Sequence, residues 1–323
     1  MGHAEMKLAV YLLNPQIIGL VALFLSVVWM LRDERDKTRP VLVIALVINL
    51  LYGFLLNVVM GRENGLLPWK YDHVLAGLDA SLGVNTPGIA SSLQGGWRLI
   101  LWIVYELMVP MMIVWYLASR HQKGPGSIVL AYIAEMLAGP LLYAIVPACG
   151  PLYALHAAWL HPSAVHAEPI RLSGMPNAFP SLHLGTAVVF VFFSRTMRWR
   201  MASLAMLIGT ALATLSTGEH YAIDLVAGIA FGCFAALAGH KRLRSAACFL
   251  AIGLCWSLAV RFRFQFLIEH SGILKAFAAV TVFSGLAAVA KEWTDSAKDF
   301  ACEEFNDLNA PCDWQDPLSA SGE

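Results

Sequence analysis

Long apolar stretches separated by shorter polar segments dominate the pattern of this chain. A helix needs about 20 apolar residues to cross the hydrocarbon core of a bilayer, and most of these stretches approach or exceed that length. They run Leu8–Leu31, Pro40–Met60, Trp97–Ala118, Ile128–Val146, Ser181–Phe193, Met201–Leu215, Tyr221–Ala238, Ala246–Val260 and Ile273–Ala290. The pattern therefore predicts an all-α fold, a polytopic membrane helix bundle of about nine transmembrane helices.

The composition supports this prediction and argues against one class of partner. Hydrophobic residues make up 58% and charged residues 14% of the 323 residues, and the mean hydropathy is +0.64. These values differ from those of soluble globular domains. Because the formal net charge is zero, there is no electrostatic reason to expect a nucleic acid partner. The six cysteines show neither a disulfide framework nor the spacing of a metal site.

The distribution of Lys and Arg predicts the orientation of the bundle. Most of the 22 Lys and Arg residues lie in segments that share one side of the predicted topology, and the positive-inside rule makes that side cytoplasmic. The apolar stretches that start at Ser181 and Tyr221 then begin at the opposite, extracytoplasmic or lumenal face. We therefore expect an integral, multi-pass protein of a bacterial inner membrane or of a eukaryotic secretory-pathway membrane.

The sequence also predicts how the chain is divided. Residues 1–291 are interpreted as a single transmembrane catalytic domain whose motif-bearing part covers residues 97–240. Nine acidic residues but only one lysine, Lys298, follow Lys291, so we expect residues 292–323 to form an acidic, mobile cytoplasmic tail. The Gly-Pro pairs within Gly139–Ala154 should break the helix there and form a kinked or re-entrant wall.

The first candidate functional segment is Asn177–Ala187, with the sequence NAFPSLHLGTA. Pro180 cannot continue a preceding helix and Ser181 is a good N-cap, so a helix should begin there with His183 in its first turn. The first backbone N–H groups of a helix lack intrahelical partners and can bind an anion such as phosphate. A histidine beside a bound phosphate can exchange protons near neutral pH.

The second candidate segment is Thr217–Gly228, with the sequence TGEHYAIDLVAG. Residues four apart share one face of a helix, so the Asp224 carboxylate should accept a hydrogen bond from Nδ1–H of His220 and leave Nε2 free as a nucleophile. An ionisable residue inside an apolar segment is costly to keep, which makes Asp224 a functional candidate. Because both segments start helices at the same face, we expect His183, His220 and Asp224 to share one site.

These residues resemble the motifs of the type 2 phosphatidic acid phosphatase superfamily, and they look most similar to its branch of inositol phosphorylceramide synthases. The resemblance covers the chain from about Gly139 to Gly232 and implies a catalytic core of that type. It also implies a metal-independent lipid phosphatase or phosphotransferase that needs no cofactor. The matching residues are Pro180, Ser181, Leu182 and His183 in a Pro-Ser-x-His motif, and His220 and Asp224 in a His-x-x-x-Asp motif.

The resemblance further implies a role for each residue. His220 would attack the phosphorus and form a phosphohistidine, Asp224 would orient its ring, and His183 would protonate the leaving oxygen. The start of the helix at Ser181 and Leu182, together with Tyr221, would contact the substrate. That substrate would be a lipid phosphate or a phospholipid of the bilayer, with water or a lipid alcohol as the acceptor.

The chain departs from the phosphatase pattern in its cations and its motifs. That pattern has Gly where Leu182 stands, Arg where Thr214 stands, and a first motif of Lys and Arg-Pro that we do not find in this sequence. The phosphate charge must then be balanced by other cations. The first candidate is Arg171 on the outer loop, the second is Arg98, and the third is Lys70.

Three functions remain open on the sequence alone. A phosphatase would release phosphate without an acceptor, whereas a phosphotransferase would depend on one, and the same catalytic residues serve both. A proton-coupled membrane transporter could use the same His and Asp residues together with Glu106 and Glu135. Against transport, the ionisable groups cluster at one face and we see no inverted repeat. Glu106 and Glu135 could also bond across helices or belong to an acceptor pocket.

Overall fold

The computed structural model of the chain describes residues 67–93, 95–119, 127–154, 167–172 and 177–307, together with isolated helical positions between 18 and 47. The predicted helices Leu8–Leu31 and Pro40–Met60 lie almost entirely outside these described residues. The described elements are β1 Trp69–Lys70, α1 Asp72–Leu82, α2 Thr86–Ser92, α3 Gly96–Glu106, α4 Met108–Ser119, α5 Ile128–Ile145, α6 Pro151–Ala154, β2 Ile170–Arg171, α7 Leu182–Phe192, α8 Met197–Thr217, α9 Ala222–Gly239, α10 Leu243–Glu269 and α11 Ser271–Asp307.

Five of these helices, α5 and α8 to α11, are long and apolar enough to cross a bilayer, which indicates a membrane protein. Helices α3 and α4 are bent by 53° relative to each other and together would form one more span. Pro110 accounts for the break, because its ring nitrogen cannot bond the carbonyl of Glu106. The described residues therefore contain five or six candidate spans, and the predicted count of about nine is not confirmed.

Helix α7 occupies a predicted membrane span but is much shorter than one. Its 11 residues extend about 16 Å, roughly half the thickness of the hydrocarbon core. Most of its residues are buried, and it packs very closely on α9: a Cβ added to Gly232 would lie 2.5 Å from the carbonyl oxygen of Gly185. Small residues permit this approach of two backbones. Helix α7 is thus an internal helix enclosed by longer ones.

The two long outer segments contain ordered elements. Helices α1 and α2 precede α3, and β1 pairs with β2 as an antiparallel ribbon with Trp69 opposite Arg171. Helix α5 continues through Pro140 to Ile145, so the first Gly-Pro pair does not break the helix as predicted. The chain leaves α5 at Val146 instead.

The last helix crosses the predicted start of the acidic tail. Helix α11 continues past Lys291 to Asp307. The turn that follows Lys291 contacts the rest of the bundle through Glu292 and Trp293. Trp293 Nε1 donates to the carbonyl of Val191 at 3.0 Å, and Arg242 pairs with Glu292 at 3.2 Å. The boundary at residue 291 therefore does not coincide with the end of a folded element. Residues 308–323 lie outside the part of the chain that the structure describes.

Candidate active site

His183 lies in the first turn of α7, as predicted. Ser181 caps this helix: its Oγ accepts a hydrogen bond from the backbone N–H of Leu184 at 3.4 Å. The His183 ring stacks on Tyr105 of α3, with ring centroids 4.2 Å apart. The cap and the stacking together fix the direction of the imidazole.

His220 lies in the short link between α8 and α9 and has a different partner from the one predicted. Its Nδ1 is 2.7 Å from the carbonyl oxygen of Ala178 but 3.5 Å from Oδ2 of Asp224. The carboxylate of Asp224 accepts its short hydrogen bond, 2.8 Å, from the backbone N–H of Tyr221. The expected geometry assumed one continuous helix through both residues, whereas α9 begins only at Ala222, after His220.

The contact with Ala178 assigns the tautomer of His220. A carbonyl oxygen can only accept a hydrogen bond, so Nδ1 must carry the proton and Nε2 keeps its lone pair. Burial lowers the pKa of His220 to about 4. The imidazole is therefore neutral near pH 7, which is the state of a nucleophile.

The two histidines line one cavity of about 190 Å³, and their ring centroids are 6.2 Å apart. This volume corresponds to about six water molecules, enough for a phosphoryl group with a small substituent. The polar lining consists of Tyr105, Glu135, Tyr143, Asn177, His183, Thr186, Glu219 and His220, and the apolar lining of Met108, Val109, Met112, Met136, Pro140 and Leu182.

Other predicted site residues lie elsewhere. Ser181, Asp224 and Tyr221 are buried next to the histidines but do not line the cavity. Neither Arg171 nor Arg98 lines it: the exposed Arg171 guanidinium lies 5.2 Å from the centroid of the Trp69 ring. Lys70 is buried and donates to the carbonyl of Leu67. Within the described residues, no Lys or Arg lines this cavity.

Two buried aspartates of α1, Asp72 and Asp79, hold the link around His220, and no motif or spacing in the sequence indicates either. Asp79 accepts hydrogen bonds from the N–H groups of Ala222 and Ile223 at 2.8 and 2.9 Å, and so caps α9 from another helix. Asp72 accepts from the N–H of Gly150 at 2.8 Å and from Oη of Tyr221 at 3.2 Å. Burial raises the pKa of each carboxyl to about 6.

Replacing Asp79 by asparagine should destabilise the protein by about 1–3 kcal/mol. Asparagine has one acceptor oxygen, and its NH₂ group would face the N–H donors that Asp79 now satisfies. Thermal unfolding in detergent measures the change. Asp295→Asn is the matched control, because the Asp295 carboxylate pairs with Arg242 and is 37% exposed; its loss should cost about 0–1 kcal/mol. Equal effects of the two substitutions would contradict the capping role.

Of three glutamates near the site, two line the cavity and one does not. Glu135 and Glu219 line the cavity; Glu219 accepts a hydrogen bond from Oη of Tyr153 at 3.2 Å, and burial raises its pKa. Glu106 does not line it and accepts from Nε1 of Trp102 at 3.1 Å. The described residues hold no group of three or more His, Cys, Asp or Glu that could bind a metal ion.

One comparison with known proteins matches the part of the chain that contains both histidines. A family model described as the PAP2 superfamily matches residues 73–238, slightly more than half of the chain. The matched region extends from α1 nearly to the end of α9 and includes both histidines. No curated protein and no solved structure matches the chain significantly.

Proposed function

Since the chain belongs to the PAP2 superfamily, we propose that it is a membrane enzyme of phosphoester chemistry that acts on a lipid through a phosphohistidine. The observation that carries this proposal is the pair of histidines on one cavity, with Nδ1 of His220 on the Ala178 carbonyl and Nε2 therefore assigned as the free nitrogen. The positive-inside argument supports the further proposal that the site faces the extracytoplasmic side.

In the proposed first step, Nε2 of His220 attacks the phosphorus in line, and the bond from phosphorus to the leaving oxygen breaks. His183, whose pKa burial and the neighbouring His220 lower in the empty site, takes up a proton beside the bound phosphate anion and gives it to that oxygen. The phosphorylated ring carries a positive charge, which the Ala178 carbonyl and the Asp224 carboxylate 3.5 Å away would stabilise. In the second step, His183 accepts a proton from the acceptor hydroxyl, whose oxygen displaces His220 from the phosphorus.

Phosphate binding would rely on dipoles at the start of α7. The N–H groups of its first turn, at Leu182 and His183, precede the first intrahelical hydrogen bonds and can face an anion. The Ser181 hydroxyl, already used as a cap, supports this turn and does not line the cavity. We propose no metal or other cofactor for this chemistry.

We further propose that the reaction is headgroup transfer of the type catalysed by the inositol phosphorylceramide synthases. The support is the absence of Lys and Arg from the described lining of the cavity. A phosphodiester carries one negative charge, whereas an ionised phosphomonoester carries up to two. A site that lacks neighbouring cations therefore suits the diester better.

The purified protein in detergent tests this proposal with headgroup-labelled phospholipids and with phosphatidic acid, each with and without ceramide or diacylglycerol. We expect transfer of the labelled headgroup that depends on the acceptor. Phosphate release from phosphatidic acid without an acceptor would instead establish a phosphatase. Proton-coupled uptake of a solute into vesicles, with neither reaction present, would establish the transporter.

A further inference from the structure

The cavity that contains the two histidines is acidic. Two carboxyl groups line it, those of Glu135 and Glu219, and no Lys or Arg does so within the described part of the chain. Of the outer-loop residues outside that part, 61–66 include Arg62, whereas 155–166 and 173–176 contain no Lys or Arg in the sequence. Carboxylates repel a bound phosphate unless a cation enters with it.

Glu135 lines this cavity and has one buried carboxyl oxygen without a hydrogen-bond partner among the residues that the structure describes. Its side chain crosses from α5 to α7, where Oε1 accepts a hydrogen bond from Oγ1 of Thr186 at 2.9 Å. Gly185 provides the space, because a Cβ there would lie 2.9 Å from the same Oε1. The residue is only 4% exposed, and the buried Oε2 accepts no hydrogen bond from the described residues. A buried carboxyl oxygen of this kind favours a ligand that brings a hydrogen-bond donor.

The surroundings of Glu135 suit a cationic donor. Tyr105 and Tyr143 line the same cavity, and tyrosine rings attract ammonium groups over their faces. Thr186 lies one helical turn beyond His183 on α7, so Glu135 contacts the helix one turn away from the catalytic imidazole. This separation leaves room for a phosphate at the histidines and a short amine-bearing substituent beside Glu135.

We propose, on the basis of the function proposed above, that the lipid headgroup transferred at this site carries a cationic amine that pairs with Glu135. The donor would be a zwitterionic phospholipid of the ethanolamine type, in which the ammonium balances the single charge of the phosphodiester. An ammonium with N–H groups can donate hydrogen bonds to the Glu135 carboxylate, which the quaternary amine of a choline headgroup cannot do. This donor differs from the inositol headgroup of the synthases that the motifs resemble.

A panel of donors tests the inference on the full-length protein in mixed micelles. We expect kcat/KM to be highest for phosphatidylethanolamine, lower for phosphatidylcholine, and lowest for phosphatidylinositol and phosphatidic acid. Glu135→Gln keeps the shape but removes the charge, and should raise KM for phosphatidylethanolamine about 30-fold or more with a smaller change in kcat. Glu269→Gln is the matched control, because Glu269 is exposed at the end of α10 and does not line the cavity, and should behave as the wild type.

Two outcomes would overturn the inference while leaving the proposed enzyme intact. One is turnover of phosphatidylinositol or phosphatidic acid at least as fast as that of phosphatidylethanolamine. The other is an equal KM for phosphatidylethanolamine in the wild type and Glu135→Gln.

A binding measurement separates this inference from the proposed reaction. Glycerophosphoethanolamine should raise the unfolding temperature of the wild type more than glycerol 3-phosphate does, and Glu135→Gln should lose this difference. If no lipid is turned over, the proposed function is wrong, and the amine site is then decided by this binding result alone. Equal stabilisation by the two compounds would overturn the amine site.

Discussion

Replacing His220 by alanine should reduce turnover by about 10⁴-fold or more while the protein still inserts and folds. The change removes the nucleophile, so no covalent intermediate can form and both half-reactions are lost. In the wild type, rapid quenching at alkaline pH should trap the phosphorylated enzyme, because phosphohistidine survives alkali and decays in acid. Initial rates and this trapping experiment, performed on equal amounts of monodisperse protein, measure the effect.

The control for this prediction is another His-to-Ala change. His270 is exposed at the end of α10 and does not line the cavity, so His270→Ala should leave the rate within about twofold of the wild type. Retention of substantial turnover by His220→Ala, or trapping of the same intermediate in that variant, would show that another group is the nucleophile.

The membrane helices were the easiest part of the fold to predict. Helices α5, α8, α9, α10 and α11 include the apolar stretches predicted for them, to within one residue at α5 and at α9, because a bilayer-length apolar run has few alternatives to a helix. Helix α7 was predicted as a span because it is just as apolar, but its short length and burial show that an apolar sequence does not distinguish lipid from protein surroundings.

The polar supports of the site were harder to predict than its histidines. Asp79 caps α9 through Ala222, which is 143 residues away in sequence. No local spacing rule reaches across that distance. The contact of His220 with Ala178 is also long-range, because it joins a side chain to a backbone carbonyl 42 residues away in sequence. Spacing indicated that Asp224 is close to His220, but it could not indicate that a backbone carbonyl lies closer.

The positions of Arg171 and Arg98 could not be predicted from the sequence. Arg171 and Arg98 were assigned to substrate binding because a phosphate needs positive partners and these arginines were expected near the outer face. The structure brings neither to the cavity wall, where carboxyl groups lie instead. A sequence shows which charges a chain contains, whereas the sign of the charge at a cavity wall depends on how its helices pack.

Replacing His183 by alanine should reduce turnover of phospholipid substrates by about 10²–10⁴-fold, the usual value of a general acid. The distinctive result concerns the leaving group. A diacylglycerol alkoxide is a poor leaving group and needs a proton, whereas a 4-nitrophenolate leaves without one. The defect of His183→Ala in the initial burst of 4-nitrophenolate, which reports the first half-reaction alone, should therefore shrink to about tenfold or less with a 4-nitrophenyl phosphodiester of the same headgroup. Steady-state turnover of either substrate still needs His183 as the base of the second half-reaction.

The stacking of His183 on Tyr105 requires a second variant, because His183→Ala removes packing as well as a proton donor. Tyr105→Leu disturbs that packing and keeps the imidazole, so its loss of rate should be similar for both leaving groups. If His183→Ala also slows the first half-reaction of both substrates equally, His183 acts by position alone and the proton reaches the leaving oxygen from another group. If only the substrate with the poor leaving group is slowed, the proton comes from His183, and the two histidines then act as nucleophile and acid.

These two roles require different protonation states of two imidazoles whose centroids are 6.2 Å apart. The Ala178 carbonyl fixes the Nδ1 proton of His220 and so leaves the lone pair on Nε2 for attack, whereas His183, whose pKa burial and the neighbouring His220 lower, gains its proton only beside a bound phosphate anion.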